Sequence, residues 1–374
     1  MPLGFNDMKN VLHLPGTWDL EYLRKFNGST ENGLQFDQLA KEMTSAFTAF
    51  NEGLVAPSNY WARYILRQTG ATVEYDTGGE SDELPLMAEH TGSDPIVGEG
   101  SGHMIPMRDH GGKLGWTYWA LRRGKPEQLR RSIRRLTERG ENTWEKRLIN
   151  RLFSSAVEIV GGTGKSVPFA DGGVADTNFV PRNHGGESFD ATHTHYLVRA
   201  DTAAGRAAFA VDGATHMRHH GINGPYDLVI AEVDVADWSA LTWATSGGLA
   251  NFVKPDRGVF TLRNVEVRAE VDEEVYIGVL EIGRSYFFVR PEARVPADYA
   301  GIFRPLGLDS PDNPLAVRYE EGYPLGLALV ATINHFPFEE AQGVFTFGPG
   351  INKREAGVLC QFKGAGSYVN PIIS

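Results

Sequence analysis

A single cysteine, Cys360, is all the thiol this chain has, so no intrachain disulfide and no thiolate metal cluster can form. In its setting, Gly357-Val-Leu-Cys-Gln-Phe, it reads as a small buried hydrophobe. Long apolar runs are missing too: no window reaches the roughly 18 residues a membrane helix needs. The opening Met1-Pro-Leu-Gly-Phe-Asn-Asp has neither a cationic start nor an apolar stretch, so no secretory signal is read there. A soluble protein of a reducing cytoplasm is the expectation. Surplus positive charge is absent. A net charge of −11 argues against a dedicated binder of nucleic acid, which needs a cationic surface for phosphates.

Catalytic signatures are equally scarce. No Gly-x-Ser-x-Gly elbow occurs, and Asp272-Glu-Glu reads as a turn rather than a general acid and base. Gly161-Gly-Thr-Gly-Lys-Ser imitates a phosphate loop, but the required first glycine falls on Ile159. The following Val167-Pro-Phe-Ala is a poor start for the helix that would hold the phosphate. Trp116, Tyr118 and Trp119 read as packing beneath a helix rather than as a ligand box. Histidines are the one reservation. His193 and His195, two apart, share a face of an extended segment, which is ligand geometry, but His184, Glu187 and Asp190 are only guesses for a third ligand. His219 and His220 end a helix, where dipole and capping favour them. The expectation is surface and capping histidines without metal, cofactor or catalytic residue.

What the chain does have is size and contrast. Its 374 residues exceed one core at about 150 residues per domain, and 41% apolar with 22% charged residues is ordinary for a globular protein. Residues 121–156 read as one long helix behind an acidic, glycine-rich loop. Leu129, Ile133 and Leu136 share a face, and beyond Gly140 the stripe shifts to Trp144, Leu148, Ile149, Leu152, Phe153 and Ala156. Gly140 is expected to bend the helix there. Arg130, Arg131, Arg134, Arg135 and Arg139, followed by Lys146, Arg147 and Arg151, outnumber the helix's own acids, Glu127, Glu138, Glu141 and Glu145. The loop over 72–107 carries Glu74, Asp76, Glu80, Asp82, Glu83, Glu89, Asp94 and Glu99. A loop of one subunit lying across the helix of the next would match these charges, which points to self-assembly. A solvated basic face beside an unrelated acidic loop is the alternative.

Along the chain, 1–32 looks irregular, 34–54 reads as a helix closed by Gly53, and 59–68 as a second helix. Strand-like ends at Thr72-Val-Glu-Tyr and Met104-Ile-Pro-Met-Arg make the loop a projecting two-stranded arm. Pro126 fits the first turn of the long helix. After a turn-rich stretch come a strand at 192–198, a helix at 201–220 capped by Asp201-Thr202, a buried strand at 227–233 and a helix at 237–249. Strands follow over 258–290, 325–333, 343–347, 357–362 and 367–373. Lacking the regular alternation of a doubly wound sheet, this is an α+β protein.

This order of parts resembles the major capsid protein of tailed bacteriophages, the Hong Kong 97-like fold, and its encapsulin relatives. The closest local similarities are Gly221-Ile-Asn-Gly-Pro-Tyr-Asp-Leu-Val-Ile, like the helix-to-strand passage into the family's axial sheet, and Tyr368-Val-Asn-Pro-Ile-Ile, like its last strand. The resemblance implies an N-terminal arm over 1–70, an extended β-hairpin loop over 71–115, a peripheral domain with a long spine helix over 116–200, an axial domain over 201–335, and return strands over 336–374. It departs from the pattern in the polar insertion at 160–200 and the length of 305–324. No charged helical stretch of a fused scaffold is present at the start.

By that resemblance the chain is not an enzyme but a subunit of an icosahedral virion shell, assembled in a host bacterial cytoplasm. Its main partner is itself, in hexamers and pentamers, with separate scaffolding, portal and decoration proteins as further partners and no membrane. Double-stranded DNA is enclosed without sequence-specific binding, and the negative net charge suits a lining along which DNA must slide. The site residues expected at subunit contacts are the loop acids Glu74, Asp76, Glu80, Asp82, Glu83 and Glu89 and the arginines 130, 131, 134, 135 and 139. An encapsulin-type nanocompartment is the nearest rival. A metalloenzyme built on His184, His193 and His195 is the rival of another class.

Overall fold

The computed structural model describes residues 36–76, 100–117, 123, 125–160, 164–171, 193–254, 260–262, 265–267, 275–283, 285–331 and 338–373. The expectations placed on 1–35, on the loop tip at 77–99, on Tyr118 and Trp119, on His184, Glu187 and Asp190, and on Asp272-Glu-Glu lie outside those residues. The chain divides into two units, each built from separated stretches: 1–62, 107–145 and 319–348 in one, 63–106, 146–318 and 349–374 in the other.

In the first unit, helix α1 (Phe36–Leu54) buries Met43 and Phe47, as its spacing predicts, and sets Phe50 edge-on to Phe345 at 6.0 Å. Helix α2 (Pro126–Phe153) begins at the proline foreseen and belongs to this unit as far as Glu145. Leu129, Ile133, Leu136 and Trp144 form its buried side. Strand Phe338–Ile351 pairs antiparallel with Arg108–Thr117 on one side and with Ala328–Ala331 on the other. Trp144 stacks on Phe345 at 5.9 Å, tying helix to sheet. Glycines let these layers close: a Cβ at Gly112 would lie 2.1 Å from Leu136 Cδ1, and one at Gly140 2.9 Å from Phe50 Cζ. The α-helix runs through Gly140, and the close approach of the Phe50 ring accounts for glycine at that position. Asn51 binds the backbone of Leu327 at both ends of its amide, donating to O at 3.1 Å and accepting from N at 2.7 Å.

The second unit centres on a seven-stranded mixed sheet, in the order Tyr196–Arg199, Gly357–Phe362, Tyr299–Phe303, Tyr226–Ala231, Ser285–Glu292, Gly278–Ile282, Asn251–Val253. Every residue of Tyr226–Ala231 is buried, as its continuous apolar run foretold for a strand covered on both faces. Helix α3 (Ala203–His219) starts at Thr202, whose hydroxyl accepts from Gly205 N at 3.0 Å, and packs Phe209, Ala210, Ala214 and Met217 onto Leu228, Ile302 and Val358. Gly221, at φ 74°, reverses the chain so that Gly221 and Ile222 donate to Arg218 O and Met217 O before the buried strand begins. Short helix α4 (Val235–Ser239) is joined to α3 by Arg206, which reaches Asp237 at 3.0 Å.

Several boundaries differ from expectation for identifiable reasons. Residues 59–68 are not one helix but a 3₁₀ turn, Tyr60–Tyr64, followed by strand Ile65–Gln68, because that strand pairs in parallel with Leu315–Arg318. The helix read at 237–249 stops at Ser239: Thr242 and Thr245 bond each other's backbone N–H, and Gly247 and Gly248 take positive φ. The strand read at 192–198 begins only at Tyr196. The terminal 367–373 segment forms no ladder; side chains pin it instead, with Tyr368 donating to Phe153 O at 2.7 Å and Asn370 accepting from Ser155 N at 2.7 Å. Ala156 lies exposed beyond the end of α2.

Candidate functional site

The first candidate surface is the basic side of α2. Its apolar residues recur so that arginines between them point away from the core, and Arg131, Arg134, Arg135 and Arg139 are exposed with no ion pair among the described residues. Arg130 differs. Its Nε and Nη2 donate to the two carboxylate oxygens of Glu42 on α1, at 2.8 and 2.9 Å, while Nη1 donates to Glu127 at 2.8 Å. This forked pair holds the Glu42 carboxyl below the ordinary carboxylate range, chiefly through the hydrogen bond from Arg130. Arg130 therefore already has acidic partners in its own chain, Glu42 and Glu127. Glu42, on the polar side of α1 beside Met43, was the signal available in the sequence. Arg147 and Arg151 also leave the basic face: Arg147 pairs with Glu158 at 2.9 Å, and buried Arg151 closes the helix end on Ser154 O and Ala156 O at 2.7 and 3.0 Å.

The second surface is the base of the acidic arm. Thr72–Asp76 pairs antiparallel with Gly100–Met104, in register from Thr72↔Met104 to Asp76↔Gly100. Glu74 is exposed on this ribbon and Asp76 ends its described part, whereas Glu80, Asp82, Glu83, Glu89, Asp94 and Glu99 lie outside the described residues. Near the root, buried His103 has its pKa lowered to about 3 by desolvation first, then by Arg354, Arg151 and Lys165, so it is neutral. On either side of the imitation phosphate loop, Glu158–Val160 pairs antiparallel with Gly164–Ser166, and among the described residues no helix N-terminus follows to receive an anion.

The third is a group of histidines. Among the described residues, His193 and His195 meet His220, the C-cap of α3. His195 is wholly buried, and burial followed by the neighbouring rings of His220, His193 and His216 holds it well below the usual histidine range. Its Nδ1 lies 2.7 Å from Gly357 O. Sequence reasoning treated His220 only as a cap, since nothing local connects it to residues 25 positions earlier.

No family model and no curated protein matches this sequence. Among solved structures, one from Mycobacterium phage Patience superposes with a TM-score of 0.65 at 15% identity, covering 92% of this chain and 93% of that one. The chain has the Hong Kong 97-like capsid fold. Weaker similarities include the asymmetric unit of the bacteriophage PhiM1 mature capsid, with TM-score 0.49, 8% identity and coverage of 82% and 88%. Another is the encapsulin complex of Synechococcus elongatus, with TM-score 0.43, 10% identity and coverage of 85% and 91%.

Proposed function

We propose that this chain is the structural subunit of a self-assembling icosahedral shell around a double-stranded DNA phage genome. The observation that carries the reading is the whole-length fold match, covering 92% of the chain. Surface chemistry supports it. Four arginines stand exposed along one helix face, and large apolar side chains remain uncovered, with Ile372 90%, Val233 73% and Ile159 69% exposed. A monomer gains nothing by presenting these, whereas a shell needs contacts on the order of 2,000–5,000 Å² per chain.

In this reading 1–70 is the N-terminal arm, 71–115 the extended loop, 116–200 the peripheral domain with α2 as its spine helix, 201–335 the axial domain and 336–374 the return strands. The loop acids Glu74, Asp76, Glu80, Asp82, Glu83 and Glu89 meet Arg131, Arg134, Arg135 and Arg139 of an adjacent copy, each pair contributing about 0–1 kcal/mol and mainly fixing register. Scaffolding, portal and decoration proteins are the further partners, and assembly takes place in the bacterial cytoplasm. An encapsulin-type compartment shares the fold and differs in its contents. Size-exclusion chromatography with negative-stain microscopy of the expressed chain tests the proposal: closed particles or capsomers are expected, and a monodisperse monomer under all assembly conditions overturns it. Nucleic acid rather than an enzyme inside particles from infected cells separates the phage reading from its rival.

A further inference from the structure

His193, His195 and His220 reach one point from two separated parts of the chain. His195 N donates to Ala170 O at 2.9 Å and Thr194 bridges Asp171, which holds 193–195 extended, so that residues two apart present their rings on one side. His220 arrives from the end of α3, fixed by the reversal at Gly221. The three Nε2 atoms stand 3.1 Å (His193 to His195), 3.3 Å (His193 to His220) and 3.0 Å (His195 to His220) apart.

A neutral imidazole has one N–H and one lone pair. The carbonyl of Gly357 can only accept, so the proton of His195 is on Nδ1 and its Nε2 turns a lone pair into the triangle. That single lone pair faces two other ring nitrogens at hydrogen-bond distance. A cation at the centre resolves the crowding by accepting from all three. Nitrogens bound tetrahedrally at about 2.0–2.1 Å from zinc lie about 3.3–3.4 Å apart, within a few tenths of an ångström of this triangle. A ligand histidine whose other nitrogen donates to a backbone carbonyl is the usual outer arrangement of such sites. His216 stands outside the triangle: its Nδ1 bonds Asp212 O at 2.8 Å and its ring lies 4.9 Å from that of His193.

We propose that His193, His195 and His220 bind one divalent transition-metal ion, zinc foremost, through their Nε2 atoms, with the fourth position taken by water. Three imidazoles without thiolates suit zinc, cobalt, nickel or copper(II), and not magnesium or calcium. The ion ties the segment preceding strand Tyr196–Arg199 to the end of α3, cross-linking two stretches of the second unit. It adds no catalytic step to the shell function and does not depend on it.

The test uses the full-length chain, stripped with chelator and dialysed. Titration with cobalt(II) is expected to give the visible bands of tetrahedral coordination, saturating at about one equivalent per chain. Zinc is expected to raise Tm by about 5 °C at hundredfold excess over Kd, and chelator to reverse the rise. The double variant His193→Ala/His220→Ala loses the bands and the zinc response, while His216→Gln keeps both. A folded wild-type chain that binds no stoichiometric cobalt or zinc overturns the proposal without reference to any variant. So does a double variant, folded by circular dichroism, that binds as the wild type does. These readouts need no particles, so the result stands apart from that of the assembly experiment.

Discussion

The seven-stranded sheet and the basic face of α2 use charge in opposite ways. Around the sheet, several ionic and polar groups end on partners within the chain. Buried Asp227 accepts from Tyr64 OH at 3.0 Å and Tyr276 OH at 3.1 Å, Arg206 is flanked by Asp201 and Asp237, and Cys360 is buried with its thiol pushed up to about 12 by desolvation. Along α2, Arg131, Arg134, Arg135 and Arg139 are exposed and make no ion pair among the described residues. The contrast separates what the chain needs in order to fold from what, in the proposed shell, it holds in reserve for neighbours. Arg130 marks the border, lying in the same row but already matched to Glu42.

Substitutions can break this comparison at graded depth. Leu228→Ala, in a fully buried strand, is expected to cost about 2–5 kcal/mol in denaturant unfolding, through lost transfer energy and a cavity beneath α3. Asp227→Ala comes next, at about 1–3 kcal/mol, because it leaves two buried tyrosine hydroxyls without their acceptor; an unchanged midpoint would show that water replaces the carboxylate. Glu42→Gln is expected to cost below about 1 kcal/mol, since the pair is largely solvated. The pH dependence gives its sign. The folded-state pKa of Glu42 is depressed, so its contribution is present above the unfolded carboxylate value and fades as pH falls through the folded one. The variant should therefore differ from wild type at neutral pH and converge with it in acid, and a gap that widens on acidification would contradict the assignment.

Much of the fold was legible where a local signal carried the decision. The Thr202 cap, the α1 stripe with Met43 and Phe47, the run 226–231 and the chain reversal at Gly221 each declared themselves within a few residues. What the sequence hid was decided at long range. Ile65–Gln68 looked helical because its partner strand begins at Leu315. The close approach at Gly140 was hidden because Phe50, the ring it makes room for, lies on another helix. The candidate site divides likewise: the arginine row was readable from helical periodicity, whereas the pairing of Arg130 with Glu42 and the meeting of His220 with His193 and His195 required tertiary structure. Pro371 and its neighbours imitated a strand, but their anchoring is by side chains, which a hydropathy pattern does not encode.

The most direct measurement is the quadruple reversal Arg131→Glu, Arg134→Glu, Arg135→Glu and Arg139→Glu, which leaves the Arg130–Glu42 pair intact. Circular dichroism and denaturant unfolding should stay close to wild type, within about 0.5 kcal/mol per exposed site, while electron microscopy finds no closed shells. Normal particles formed by a fully folded quadruple variant would contradict the claim that this helix face is reserved for neighbouring copies.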